Sequence, residues 1–242
     1  MNNKFFGTWM VSGSLFSAHL IAESDLDFGI IDLEHGHFNK NEIPMIIKVL
    51  HLAGKMACIR TSSHSANEIL NVLDAGPDII FIPSVNSVKD VKQINRNAFF
   101  APKGKRGASG CTFANGFSKK EFNEFKINVN KNLIIGYMIE TSEGLNNLLE
   151  MAEYMATNSI IYFGTYDLAE SFGIENPYSK DLLEKINIVV AKIEESYPHI
   201  KYGIVANGYG KDIIPEYISY LPIFGDAGLY IRGLNSALSN YS

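Results

Sequence analysis

The chain has 242 residues, 46% of them hydrophobic and 19% charged, with a formal net charge of −5. A single domain spanning residues 1–242 suits that length, since an α/β barrel of this size is normally one unit. The acidic balance and the lack of a basic stripe argue against a nucleic-acid partner. No apolar run approaches the roughly 18 residues of a membrane span, and two cysteines cannot build a disulfide framework. Cys58, in the apolar run MACIR, reads as a small core residue, and Cys111 follows Gly110 in a loop. The N-terminal FFGTWMV faintly mimics a signal peptide but is interrupted by Gly7 and Thr8, so it reads as a first strand and the protein as cytoplasmic.

From there a strand–helix alternation runs through the sequence. Strands are expected at Thr8–Ser12, Phe28–Leu33, Met56–Arg60, Ile79–Pro83, Leu133–Glu140, Ile160–Gly164, Tyr202–Ala206 and Pro222–Asp226. Between them fall helical patterns such as Ile43, Ile46, Ile47 and Leu50, or Leu145, Leu148, Leu149 and Ala152. Asn39 with Glu42, Ser65 with Glu68 and Ser87 with Asp90 have capping-box spacing, and Gly54 and Gly76 suit helix C-caps. Consecutive β/α units with right-handed crossovers close most simply into a (β/α)8 TIM barrel. A doubly wound open sheet is the alternative, weakened because no Gly-x-Gly-x-x-Gly turn follows the first strand. Two pieces fall outside the alternation. Phe99–Phe117, rich in Gly and small polar residues, reads as a long loop whose Lys103, Lys105 and Arg106 form a solvated cluster rather than an anion site. The last helix, Leu229 to Leu238, is short and needs another subunit to cover its apolar side.

In a barrel the C-terminal strand ends share one face. The segment FGIIDLEHGH (28–37) is a buried strand that breaks into Asp32, Glu34, His35 and His37. The next strands end in Arg60 and Pro83, then Glu140 and Thr141, then Gly164-Thr165-Tyr166-Asp167, then Ala206-Asn207-Gly208 and Gly225-Asp226. Glu140 and Asp167 together could hold a hard divalent cation, leaving positions for water and for a substrate that chelates through oxygen. Arg60 would supply a fixed positive charge and His35 a base titrating near neutrality. Blander roles exist: either acid could cap a helix, and Arg60 could pair with Asp32 or Asp74. Glu34, His35 and His37 could form a zinc or manganese site of their own. That reading ranks lower, because along an extended backbone Glu34 faces away from both histidines.

These pieces together resemble the HpcH/HpaI aldolases, metal-dependent class II enzymes acting on pyruvate and related 2-oxo acids. The matching stretches are IIDLEHG, the Arg60 strand followed by ILNVLDAGPDIIFIPSV, the loop PKGKRG, the strand IETSEGLNNL and FGTYDLAESFG. They occur in the family's order and cover nearly the whole chain. The resemblance implies a (β/α)8 barrel of the phosphoenolpyruvate/pyruvate type, assembled as a hexamer or trimer of dimers with a swapped C-terminal helix. It implies magnesium, manganese or cobalt on Glu140 and Asp167, with His35 as catalytic histidine and Asp74 as its acidic partner. Arg60 would stand beside the substrate's 2-oxo oxygen, and the backbone amides around Tyr166 and Asp167 would cradle its carboxylate. Met138 stands where the family has a glutamine, Thr165-Tyr166 replace Pro-Ala, Ala169 replaces a serine and His37 a proline. The pocket wall, including Met138, Thr165 and Tyr166 as substrate-facing positions, is therefore rebuilt.

The expected activity is cleavage or formation of a 4-hydroxy-2-oxo acid from pyruvate, or a related 2-oxo acid, and an aldehyde. Lys55 precedes its strand at the wrong end of the barrel for a Schiff-base nucleophile. The rivals are an acyl-CoA lyase of the citrate lyase or malyl-CoA lyase type, and a barrel that binds 2-oxo acids without turning them over.

Overall fold

The computed structural model describes residues 4–206, 209, 213–239 and 241. Eight parallel strands form a closed barrel in sequence order. They are β1 (Phe5–Met10), β2 (Phe28–Asp32), β3 (Met56–Arg60), β4 (Ile79–Ile82), β5 (Ile134–Ile139), β6 (Ser159–Phe163), β7 (Lys201–Ile204) and β8 (Ile218–Gly225). The helices are α1 (Leu15–Ala22), α2 (Ile43–Leu52), α3 (Ala66–Ala75), α4 (Val88–Ala98), α5 (Phe122–Asn132), α6 (Ser142–Ala152), α7 (Thr165–Phe172), α8 (Lys180–Ser196) and α9 (Asp226–Leu238). The (β/α)8 barrel expected from the alternation is the observed fold, and no described helix is long and apolar enough to cross a membrane.

Alternation along each strand divides the apolar residues into two layers. Phe28, Ile30, Cys58, Phe81, Met138 and Tyr162 belong to the cluster inside the barrel. Their neighbours Ile31, Ile59, Ile80, Tyr137 and Ile161 belong to the larger layer beneath the helices. Cys58 is a fully buried member of the inner cluster. The helices start where the sequence marks them: the Ser65 and Ser87 side chains accept from the backbone N–H groups of Glu68 and Asp90. Gly76 caps α3 with a φ of 91°, a left-handed conformation that other residues rarely adopt.

Several elements differ from these expectations: β1 begins at Phe5 rather than Thr8, and β8 at Ile218 rather than Pro222. Asn39 caps a turn, accepting from Asn41 N–H, and α2 begins later, after Glu42. A helix, α5, follows the long loop, where no strong apolar period announced it; only Phe125 is buried on it. The last helix begins at Asp226, three residues before the expected start. The loop's basic cluster is not wholly solvated. Arg106 is buried, with its guanidinium 4.6 Å from the Phe100 ring centre and donating to Asp74 at 2.7 Å. An arginine desolvated by an aromatic ring needs such a carboxylate, and this pair ties the loop to α3. The end of the seventh strand at Asn207-Gly208 lies outside the described residues.

Closure of the barrel is reinforced where β8 meets the first β/α turn. Asp226 accepts from the backbone N–H groups of Val11 (3.0 Å) and Ser12 (3.3 Å) and from the Ser12 hydroxyl. Burial pushes the Asp226 carboxyl up, but hydrogen bonds from Ser12, Val11, Ser17 and Ala227 outweigh it and hold the group below the ordinary aspartate range. A carboxylate depressed in the folded state contributes stability above its unfolded pKa of about 3.9, lost as pH falls through the lower folded value. Asp226→Asn should therefore lower Tm at pH 7, and the gap to the unmodified protein should narrow as pH falls below about 4. A gap that stays constant to pH 3 would show that the charge contributes nothing.

Candidate active site

Strand parity builds the site. Counting outward from inner-cluster residues in steps of two, β2 runs Phe28, Ile30, Asp32, and β3 runs Cys58, Arg60. The same count takes Met138 to Glu140 past the end of β5 and Tyr162 to Gly164 past the end of β6. Asp32, Arg60, Glu140 and Gly164 thus share the barrel's inner face at its C-terminal mouth. Gly164 is a steric necessity there: a Cβ on it would stand 2.6 Å from Glu140 Cγ and 2.9 Å from Oε1.

Asp32 and Arg60 are direct register partners across β2 and β3. Arg60 donates from Nε to Asp32 Oδ1 at 2.8 Å and from Nη2 to Oδ2 at 2.6 Å, a bidentate fork. Nη1 lies 3.0 Å from Glu34 Oε2, and the guanidinium carbon sits 4.7 Å from the Trp9 ring centre. Burial works against the Arg60 charge, but Asp32, Glu34 and Glu140 outweigh it and hold its pKa above the ordinary value. Asp32 Oδ1 also accepts from the N–H groups of Glu34 (3.1 Å) and His35 (3.2 Å). The strand therefore breaks into a turn at once, and Glu34 swings inward to Arg60. The extended geometry assumed for residues 34–37 does not occur. His35 and His37 are exposed on that turn.

Glu140 is buried and accepts at 2.6 Å from the backbone N–H of Ser84, which adopts a φ of 53° just past the end of β4. Its carboxyl pKa is raised, first by burial and further by Glu34 and Asp167, against the pull of the Ser84 N–H and Arg60. Asp167, in the exposed first turn of α7, is thereby within electrostatic reach of Glu140, as are Glu34 and Arg60. Met138 lies beneath Glu140 among the inner apolar residues, in register with Tyr162. Thr165 is buried and Tyr166 exposed at the start of α7. Asp74 sits apart from this group, near the C-terminal end of α3, with Oδ1 taken by Arg106. No hydrogen bond among the described residues joins it to His35.

The donor set fits a hard divalent cation. Arg60 faces Asp32, Glu34 and Glu140, and Asp167 bears on Glu140 as well, so the buried Glu140 carboxylate is left with its charge under-compensated. Among the described residues no three His, Cys, Asp or Glu side chains converge as a ready cage. A cation held by Glu140 and Asp167 would keep its other positions for water and substrate oxygens, the pattern magnesium prefers. Gly164 stands among the strand-end residues of the sequence, but Ser84 and Trp9 do not. Trp9 is reachable by strand parity, whereas the backbone twist at Ser84 leaves no compositional trace. Gly164→Ala should displace the Glu140 carboxylate and weaken Mn2+ binding, measured by electron paramagnetic resonance, by roughly ten-fold or more. Unchanged Mn2+ affinity in a folded variant would remove Glu140 from the metal site.

Residues 6–196 match the HpcH/HpaI aldolase/citrate lyase family. The chain is 24% identical over 191 residues to 4-hydroxy-2-oxo-heptane-1,7-dioate aldolase of Escherichia coli (strain ATCC 8739), covering 78% of this chain and 72% of that one. It is 22% identical over 236 residues to 2-keto-3-deoxy-L-rhamnonate aldolase of Shigella boydii, covering 97% and 88%. Among solved structures, an HpcH/HpaI aldolase/citrate lyase family protein from Burkholderia cenocepacia superposes with a TM-score of 0.89 at 19% identity, over 99% of this chain and 95% of that one. Relatives that are aldolases support an enzyme, and the match over residues 6–196 places this chain in the HpcH/HpaI aldolase/citrate lyase family.

Proposed function

We propose that this protein is a divalent-metal-dependent aldolase, joining or separating pyruvate (or a related 2-oxo acid) and an aldehyde through a 4-hydroxy-2-oxo acid. The observation that carries the reading is the buried Glu140, set at the barrel mouth with Asp167 and Glu34 and facing the fixed Arg60. Bound Mg2+ or Mn2+, with Co2+ as a further candidate, would supply Lewis acidity to the 2-oxo oxygen. Glu140 and Asp167 are the residues proposed to hold it.

The rest of the chemistry falls to the chain's own groups. Arg60 has donors left after its bonds to Asp32 and Glu34 and would meet the negative charge that develops on the 2-oxo oxygen. The N–H groups at the start of α7, around Tyr166 and Asp167, would hold the substrate carboxylate. In cleavage, His35 takes the proton of the 4-hydroxyl, through water, as the C3–C4 bond breaks, releasing the aldehyde and leaving the bond's electrons on the 2-oxo acid fragment. That fragment then takes a proton at C3 to become pyruvate. Asp74 as the acid that orients His35 would have to serve two partners, since Arg106 already occupies Oδ1.

Assembly into a homo-oligomer is part of the same proposal. Helix α9 buries none of its residues and leaves Tyr230, Ile231, Leu234 and Leu238 exposed. Helix α1, which follows the strand beside β8, exposes Leu15, Phe16 and Leu20. Two unpaired apolar faces of this kind suit exchange of α9 between subunits. Leu234→Asp should reduce the mass measured by size-exclusion chromatography with light scattering. A monomer already present in the unmodified protein would exclude the exchange.

Chelation tests the chemistry. Pyruvate release from 4-hydroxy-2-oxo acids should vanish with EDTA and return with Mg2+ or Mn2+. Arg60→Lys, which loses the planar fork, should lower kcat by roughly 100-fold or more while Mn2+ binding persists. Pyruvate release unaffected by EDTA would refute the metal-dependent aldolase, and tight metal-dependent binding of pyruvate without turnover would favour a binding barrel.

A further inference from the structure

The metal-and-base chemistry leaves His64 unused. It stands half-buried on the turn between Arg60, at the end of β3, and the Ser65 cap of α3. Its ring nitrogen Nε2 is hydrogen-bonded to the carbonyl oxygen of Pro83, just past the end of the neighbouring strand β4. A carbonyl can only accept, so Nε2 carries the proton and donates it. The Pro83 carbonyl belongs to the same peptide unit as the Ser84 N–H, which donates to Glu140 Oε2 at 2.6 Å. One peptide plane therefore bridges the imidazole and the buried carboxylate, with its positive end on Glu140.

That plane is the part of the segment most able to turn. The next peptide is tied at both ends, Ser84 O accepting from Asn86 Nδ2 at 3.2 Å and Val85 N–H donating to Met138 O at 3.0 Å. On the other side Pro83 is fixed in φ alone, so its ψ can absorb a rotation. Because the peptide unit is planar, a flip of about 180° changes ψ of Pro83 and φ of Ser84 and little else. Ser84 has a φ of 53°, and the flip would return it to the extended region that any residue adopts. The flipped plane would turn the Ser84 N–H away from Glu140 and present a carbonyl oxygen to the carboxylate. Backbone preference thus pulls against the orientation that Glu140 needs, and the His64 bond opposes that pull. Polarisation works in the same direction, since a donor on the carbonyl strengthens the N–H at the other end of the unit.

We propose that His64 is a positioning residue for the metal site: by donating to Pro83 O it latches the 83–84 peptide so that the Ser84 N–H holds Glu140 in place. The inference rests on the metal-binding reading of Glu140 above and adds to it a residue that acts on the carboxylate through the backbone.

The test compares Mn2+ affinity, by electron paramagnetic resonance, in the unmodified protein, His64→Ala and His64→Gln. His64→Ala should bind Mn2+ roughly ten-fold more weakly. His64→Gln keeps an N–H donor at the end of a side chain of similar reach and should retain most of the affinity. Ser84→Gly added to His64→Ala should recover part of the loss, because glycine holds a positive φ without strain. Equal affinity in the unmodified protein and His64→Ala, equal loss in His64→Ala and His64→Gln, or no recovery with Ser84→Gly overturns the latch. Should the unmodified protein bind no Mn2+, the metal reading fails by itself, and hydrogen exchange of the Ser84 amide decides the latch separately. Exchange roughly ten-fold faster in His64→Ala and slowed again in His64→Gln would sustain it. Exchange unchanged by His64→Ala would reject it.

Discussion

A guanidinium taken out of water has to be matched by carboxylates in good geometry, or the fold around it pays several kcal/mol. Arg60 meets that constraint through Asp32, its register partner on the neighbouring strand, and through Glu34 on the turn that follows. Much of the mouth follows from this arrangement. Asp32 is held by the fork from Arg60, and while so held it accepts the two N–H groups that bend the chain after β2. The bend sets Glu34 against Arg60 and leaves His35 beyond it on the exposed side. A rigid pair between two strands thus fixes both a charge inside the pocket and the path of the loop that carries the candidate base. Preorganisation of this kind spares the enzyme from ordering its own dipoles as the reaction proceeds.

The same crowding of charge explains why the surroundings of Glu140 are so specific. A buried carboxylate with two acidic neighbours is costly by itself. The chain answers with one backbone N–H, that of Ser84, and with a glycine opposite that leaves room for the side chain where it lies. The Ser84 backbone adopts a left-handed conformation uncommon for a residue with a side chain. Local strain at a site of this type is sustained by what surrounds it, here the buried Pro83 and Val85 on either side.

The barrel was legible because short continuous apolar runs and helix caps repeat through the chain, and the C-terminal ends of those runs carry Asp32, Arg60 and Glu140. Parity could not extend beyond the strands. An extended backbone over residues 34–37 would turn Glu34 away from both histidines, whereas Asp32 bends the chain there and sets Glu34 against Arg60, a partner the strand ends already suggested. Arg106 looked like an exposed cation because its neighbours in sequence are Lys105 and Gly107; burial came from Phe100 and Asp74, which only the folded loop assembles. Helix α5 escaped notice because it rests on the barrel through a single buried phenylalanine. Tyr178 and Tyr209 lie on separate connections, after β6 and after β7, and the edge-to-face contact of their rings is a product of tertiary structure alone.

Asp226 has one further consequence, for the order in which the molecule forms. Its bond to the Val11 N–H spans 215 positions of sequence, so the first β/α turn waits for β8 and the start of α9 to be made. Contacts of such separation reward the chain late, after most of the loop-closure entropy has been paid. During synthesis the early β/α units emerge with an open sheet edge on β1, the edge that β8 later covers. Until then that edge is free to pair with another nascent chain. Completion of the barrel and protection from such mispairing are therefore the same event, and the emergence of β8 sets when it can occur.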